Sequence, residues 1–192
     1  MTPAEWQLSF GRNADVVPIQ LSGESVSQGT ERFLATHGFP RVAVFDGTQP
    51  FELKFDAIRE PLILLNTQID EPETVWEEQV IIGVFETCGV AWNICLNKTT
   101  GTVTHIDVEE YNDVGIVNSS LLQLGECLVA AKNHFDTQTV VSNELLAKKL
   151  ESIDELSYNG NRSFWQSFTK YTIDFSEITS VTCDVTQSQP RC

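Results

Sequence analysis

"GIVNSSLLQLGECL", residues 115–128, contains a change of period. Up to Val117 the chain reads as a short apolar strand. From Leu121 onward apolar residues recur at three and four positions, which is helical spacing. Asn118, Ser119 and Ser120 stand between the two patterns. Ser120 lies three residues before Gln123, the capping-box spacing, in which the serine oxygen accepts the amide of the third helical residue and the glutamine reaches back. Leu121, Leu124, Leu128, Ala131 and Phe135 then share one face that can cover a sheet. A serine held at such a joint also invites a catalytic reading. A serine hydrolase needs a base beside its nucleophile, and the flanking residues are not G-x-S-x-G. The chain has three histidines, His37, His105 and His134. The first is near a helix end, the second in an alternating strand, and the third where a helix dipole favours positive charge. The joint is therefore structural, and no catalytic residue is assigned.

Upstream of the joint, "VIIGVFE" (80–86), "GVAWNICLN" (89–97) and "TVTHIDV" (102–108) are successive β-rich runs. Lys98-Thr99-Thr100-Gly101 is a hairpin connection, with glycine where positive φ is tolerated. Runs this closely spaced favour antiparallel pairing, because parallel crossovers need a dozen or more residues. Earlier still, "RVAVFDG" and "FELKFDAI" read as strands joined by a turn at Asp46–Pro50, and "PLILLN" is an apolar run too short to assign by period. Before these lies "GTERFLATHGFPR", a short helix with Thr30 as its cap, Phe33 and Leu34 facing inward, Gly38 as its left-handed stop and Pro40 beyond.

Downstream, "SNELLAKKLESIDEL" (142–156) predicts one helix capped by Ser142 or Asn143, with Leu145, Leu146, Leu150, Ile153 and Leu156 at helical spacing. "RSFWQSFTKYTIDF" predicts another, with Phe164, Trp165 and Phe168 inward. Together the pattern predicts a single α+β domain over 1–175, a mainly antiparallel sheet flanked by helices. Residues 176–192 read as an edge strand or loose tail. No internal repeat or linker divides the chain.

Composition narrows the function. With Lys+Arg 12 against Asp+Glu 27, the formal net charge is -15. Such a surface repels phosphate and anionic lipid, so nucleic acid is excluded as a direct ligand, and the charge serves either solubility or a basic protein partner. No apolar stretch approaches the ~18 residues of a spanning helix, and the N-terminus has no basic region followed by an apolar one. The expectation is a cytoplasmic protein with no membrane association. Cys88, Cys95, Cys127, Cys183 and Cys192 are five thiols at irregular spacing without CxxC, which points to reduced cysteines and no metal site or cofactor. Whether Cys183 and Cys192 pair is open. The sequons at Asn97, Asn118 and Asn161 have no secretory signal to give them meaning.

"ERFLATHGFP" (31–40), "VIIGVF" (80–85), "ICLNKTTGTVTHID" (94–107), "VNSSLLQL" (117–124) and "SFWQSF" (163–168) occur in an order that resembles the SUKH superfamily of immunity proteins, most closely its fourth group. One departure is Val84–Gly89, where many relatives carry a glycine-rich turn. The resemblance implies a sheet flanked by helices and a protein that neutralises a cognate toxin, commonly a nuclease or nucleic-acid deaminase, with no catalytic residues of its own. An acidic inhibitor suits the basic groove of such a toxin. Two segments are candidate contacts. In "IDEPETVWEEQ", Asp70, Glu71, Glu73, Glu77 and Glu78 surround Trp76, an aromatic anchor in a charged rim. In "DVEEYND", Glu109, Glu110 and Tyr111 form a similar group with Asp107 and Asp113. The plain alternative for both is a solvated loop, with Trp76 folded onto the core. Two other functions stay open: a scaffold of the same superfamily that binds several partners, and an enzyme using Asp46 and Asp56, which lie in no motif.

Overall fold

The computed structural model describes residues 2–10, 15–17, 26–45, 51–54, 63–64, 78–87, 90–107, 114–136 and 143–174. The main sheet is built from β3 (Val42–Phe45), β4 (Phe51–Lys54), β5 (Ile63–Leu64), β6 (Gln79–Thr87), β7 (Val90–Asn97), β8 (Val103–Asp107) and β9 (Val114–Asn118). Every pairing is antiparallel, in the order β3-β4-β6-β7-β8-β9, with β5 beside β4 on the same edge of β6. The β-rich runs thus pair as successive hairpins, and "PLILLN" contributes a two-residue strand. Gly101 closes the β7–β8 hairpin at φ 76°, a conformation other residues resist. A separate two-stranded ribbon pairs β1 (Val16–Val17) with β2 (Phe39–Pro40). The expected turn at Asp46–Pro50, residues 1, 175 and the 176–192 tail lie outside the described residues.

The helices are α1 (Pro3–Ser9), α2 (Gln28–Thr36), α3 (Leu121–Asp136), α4 (Asn143–Ile153), α5 (Glu155–Tyr158) and α6 (Phe164–Asp174). In α3, Leu121, Leu124, Leu128 and Ala131 are buried, and Phe135 packs at the margin of the core. Phe164, Trp165 and Phe168 of α6 join Ile82, Phe85, Ile94, Leu96, Val103 and Val117 of the sheet in one cluster. Phe164 meets Phe85 edge-on at 5.1 Å. Ile94, Cys95 and Leu96 are all buried, so β7 is covered on both faces. Each such aliphatic side chain contributes about 1.5–3 kcal/mol of burial free energy.

Three features differ from the sequence expectations. Helix α2 starts earlier, because Ser27, not Thr30, is its cap: the Thr30 amide donates to the Ser27 hydroxyl at 3.3 Å. Its stop is as expected, with Gly38 at φ 69°. The helix expected over 142–156 is two helices, since Asp154 leaves helical geometry at φ -147° to cap α5. Leu145 and Leu156 face solvent, 58% and 80% exposed, while Leu146 and Leu150 are buried. Finally, α1 was unforeseen. Thr2 and Glu5 form a complete capping box, with Pro3 at the first helical position. Trp6 of α1 is fully buried and donates from Nε1 to the Gly38 carbonyl at 3.2 Å.

Candidate functional site

The joint that opens the sequence reading is a buried polar node. Asn118 takes an Nε1–H bond from Trp165 at 2.9 Å on its Oδ1 and donates from Nδ2 to Asp154 at 3.1 Å. The Ser119 amide and hydroxyl donate to the two Asp154 oxygens at 2.6 and 2.8 Å, and the Ser157 amide adds a bond at 3.3 Å. Asp154 is 3% exposed. Burial pushes its pKa up, yet the donors from Ser119, Ser157 and Asn118 outweigh that and hold the carboxyl below its usual value. Ser120 caps α3 by accepting the Gln123 amide at 3.3 Å, but its hydroxyl donates to Gln123 Oε1, so only half of the expected capping box forms. The glutamine instead turns its Nε2 toward the Ile153 carbonyl at 3.5 Å. Both serine hydroxyls therefore serve the fold. Asp154, the hub, escaped sequence reading because it sits within an uninterrupted helical pattern.

The two acidic segments leave the sheet at opposite ends. Residues 65–77 lie between β5 and β6 and return to the sheet beside Glu78 and Gln79, the end that also carries the β7–β8 hairpin and the β9–α3 joint. Residues 108–113 lie between β8 and β9, at the end formed by Thr87, Val90, Asp107 and Val114. Nine-residue β6 separates the ends by about 26 Å, at ~3.3 Å per residue. Of the candidate contact residues, Glu78 is described and exposed; Asp70, Glu71, Glu73, Trp76, Glu77, Glu109, Glu110 and Tyr111 lie outside the described residues. Glu78 is anchored to the hairpin: its carbonyl accepts the Lys98 amide at 2.9 Å, and its carboxylate accepts the Thr99 hydroxyl at 2.7 Å.

Beside this hairpin two clefts run along the α2–α3 seam. One, about 290 Å³, is lined by residues including Ser27, Thr100, Gly101 and Ser120; the other, about 280 Å³, by Trp6, Arg32, His37 and Glu126 among others. Gly29, Phe33 and Leu122 line both, making them one groove that starts at the hairpin holding Glu78. Leu122 is 46% exposed, because it lies off the apolar stripe of α3. Neither Gly29 nor Leu122 attracts notice in the sequence, since a groove between two helices becomes visible only once they pack.

Among the described residues, no three histidine, cysteine or acidic side chains gather as a metal site. No helix among them is long and apolar enough to cross a membrane. Burial pushes the thiols of Cys95 and Cys127 up to about 12, so both stay protonated and poorly nucleophilic near neutral pH.

The chain is thus an antiparallel α+β domain with helices packed on its sheet. A comparison with protein families says which kind. The profile described as SUKH-4 immunity protein matches residues 9–171, and the chain belongs to that family. Its role is accordingly one of immunity, exercised on a cognate toxin protein. Comparisons with curated proteins and with solved structures find no match.

Proposed function

We propose that this protein binds one toxin domain with a basic, nucleic-acid-processing active site, a nuclease or deaminase, and blocks that site sterically in the cytoplasm. The observation that carries this reading is the formal charge of -15 on a member of an immunity family. A nucleic-acid enzyme needs a basic groove, and an acidic inhibitor is steered to it, with association rates up to ~10⁸ to 10⁹ M⁻¹s⁻¹ at low salt. The inhibitor itself performs no reaction and binds neither nucleic acid nor membrane.

The contact is assigned to the segment containing Asp70, Glu71, Glu73, Trp76, Glu77 and Glu78, in preference to Glu109, Glu110 and Tyr111. Two facts support this choice. The segments leave opposite sheet ends, and Glu78 stands beside the groove that holds exposed Leu122. Stopped-flow association of the chain with its purified toxin, over a series of salt concentrations, tests the reading. Replacing Glu77 and Glu78 together by lysine slows association at least tenfold at low salt and flattens the salt dependence. A rate unchanged by both the substitutions and the salt would refute steering through this face.

A further inference from the structure

We infer that the groove between α2 and α3 is the anchor site for the toxin, taking an apolar side chain of that basic partner against Leu122. The inference rests on the immunity reading but concerns a surface that the acidic segments do not define.

Three observations carry it. First, Leu122, off the buried stripe of α3, is 46% exposed and lines both halves of the groove. An exposed aliphatic residue alone is ordinary; this one stands in a concave seam closed beneath by the buried Phe33 and Trp6, so Leu122 itself supplies the apolar surface that a partner can cover.

Second, Gly29 occupies the opposite wall, in the first turn of α2. Here the backbone does not require it, and a Cβ added at Gly29 meets nothing within 4 Å. The missing side chain keeps the groove open.

Third, the charge favours a basic protein partner. Glu126 on the α3 wall and Glu78 by the hairpin offer carboxylates to a basic partner, in keeping with the charge of the whole chain. Arg32 on the α2 wall repels a basic residue there, which favours an approach with the partner's cations turned toward Glu126.

The test uses the full-length chain and the basic protein that it retains at one-to-one stoichiometry from its source cells, identified by mass, then expressed and purified. Affinity is measured for wild type, Leu122→Asp, Gly29→Leu and, as a surface control, Leu156→Asp, each with its melting temperature. A Cβ at Gly29 meets nothing within 4 Å, and Gly29→Ala, the smaller filling, joins the series to keep the test open should the longer side chain lower the melting temperature. The inference predicts that Leu122→Asp and Gly29→Leu each weaken binding at least 100-fold while Leu156→Asp changes it less than threefold. Full affinity in Gly29→Leu overturns the groove and leaves the immunity reading intact. A self-association that Leu122→Asp abolishes, with toxin affinity unchanged, also overturns it, by naming a second copy as the occupant. If no basic partner is retained at all, the proposal of a basic toxin falls, and the groove inference with it.

Discussion

Asp154 shows how one side chain sets local structure. Its carboxylate holds the end of β9 through Ser119, touches Asn118 and starts α5, so a break in the helix and the strand-to-helix joint share one anchor. Replacing Asp154 by alanine takes the acceptor from the buried Asn118 and half-buried Ser119 donors and is expected to cost about 3 kcal/mol. Because the folded pKa lies below the unfolded value of about 3.9, this stabilisation is present above about pH 4 and is lost as pH falls through the folded value. Thermal melts of wild type and Asp154→Ala should therefore differ widely at pH 7 and converge in strong acid; a gap independent of pH would mean that the carboxylate's charge contributes nothing. At the same scale, Cys95 and Cys127 are expected to resist alkylation in the native state and to react once the chain unfolds. Labelling followed by mass mapping checks this, and rapid native modification of either thiol would contradict the buried, protonated assignment.

Among the elements, the strands and the covering helix α3 were the most readable. Their signals are local: alternating or continuous β-branched runs, a glycine at the hairpin, and leucines at helical spacing. What escaped depended on contacts across the fold. The leucine pattern of 142–156 continues through Asp154, and only Ser119, 35 residues away, explains why the helix breaks there. Helix α1 did carry a local signal in Thr2-Pro3-Ala4-Glu5, which reading the N-terminus for a targeting segment passed over. Its position matters, since Trp6 fills the space above Gly125 of α3, where an added methyl would run into the indole ring. Trp6→Ala is expected to lose about 3–5 kcal/mol, and Gly125→Val to destabilise because neither helix can retreat. Denaturant unfolding gives both values; a loss below about 1 kcal/mol for Trp6→Ala would show that α1 is merely an appendage.

For the molecule as a whole, the α+β class followed from element order, whereas the candidate surface was legible only in part. Charge pointed to the acidic segments, because composition reports charge directly. It could not reveal that the two segments leave the sheet about 26 Å apart or that Glu78 binds the hairpin at which the α2–α3 groove starts, since both depend on strand register and helix packing. The end of the sheet that carries Glu78 is accordingly the one we propose for the toxin. That an acidic immunity protein captures one basic toxin is tested most directly by retaining partners on the tagged chain from its source cells at low and at high salt and weighing what is held. We expect one stoichiometric partner with a basic nuclease-like or deaminase-like domain, retained less well at high salt. Several substoichiometric partners, or one indifferent to salt, would contradict it.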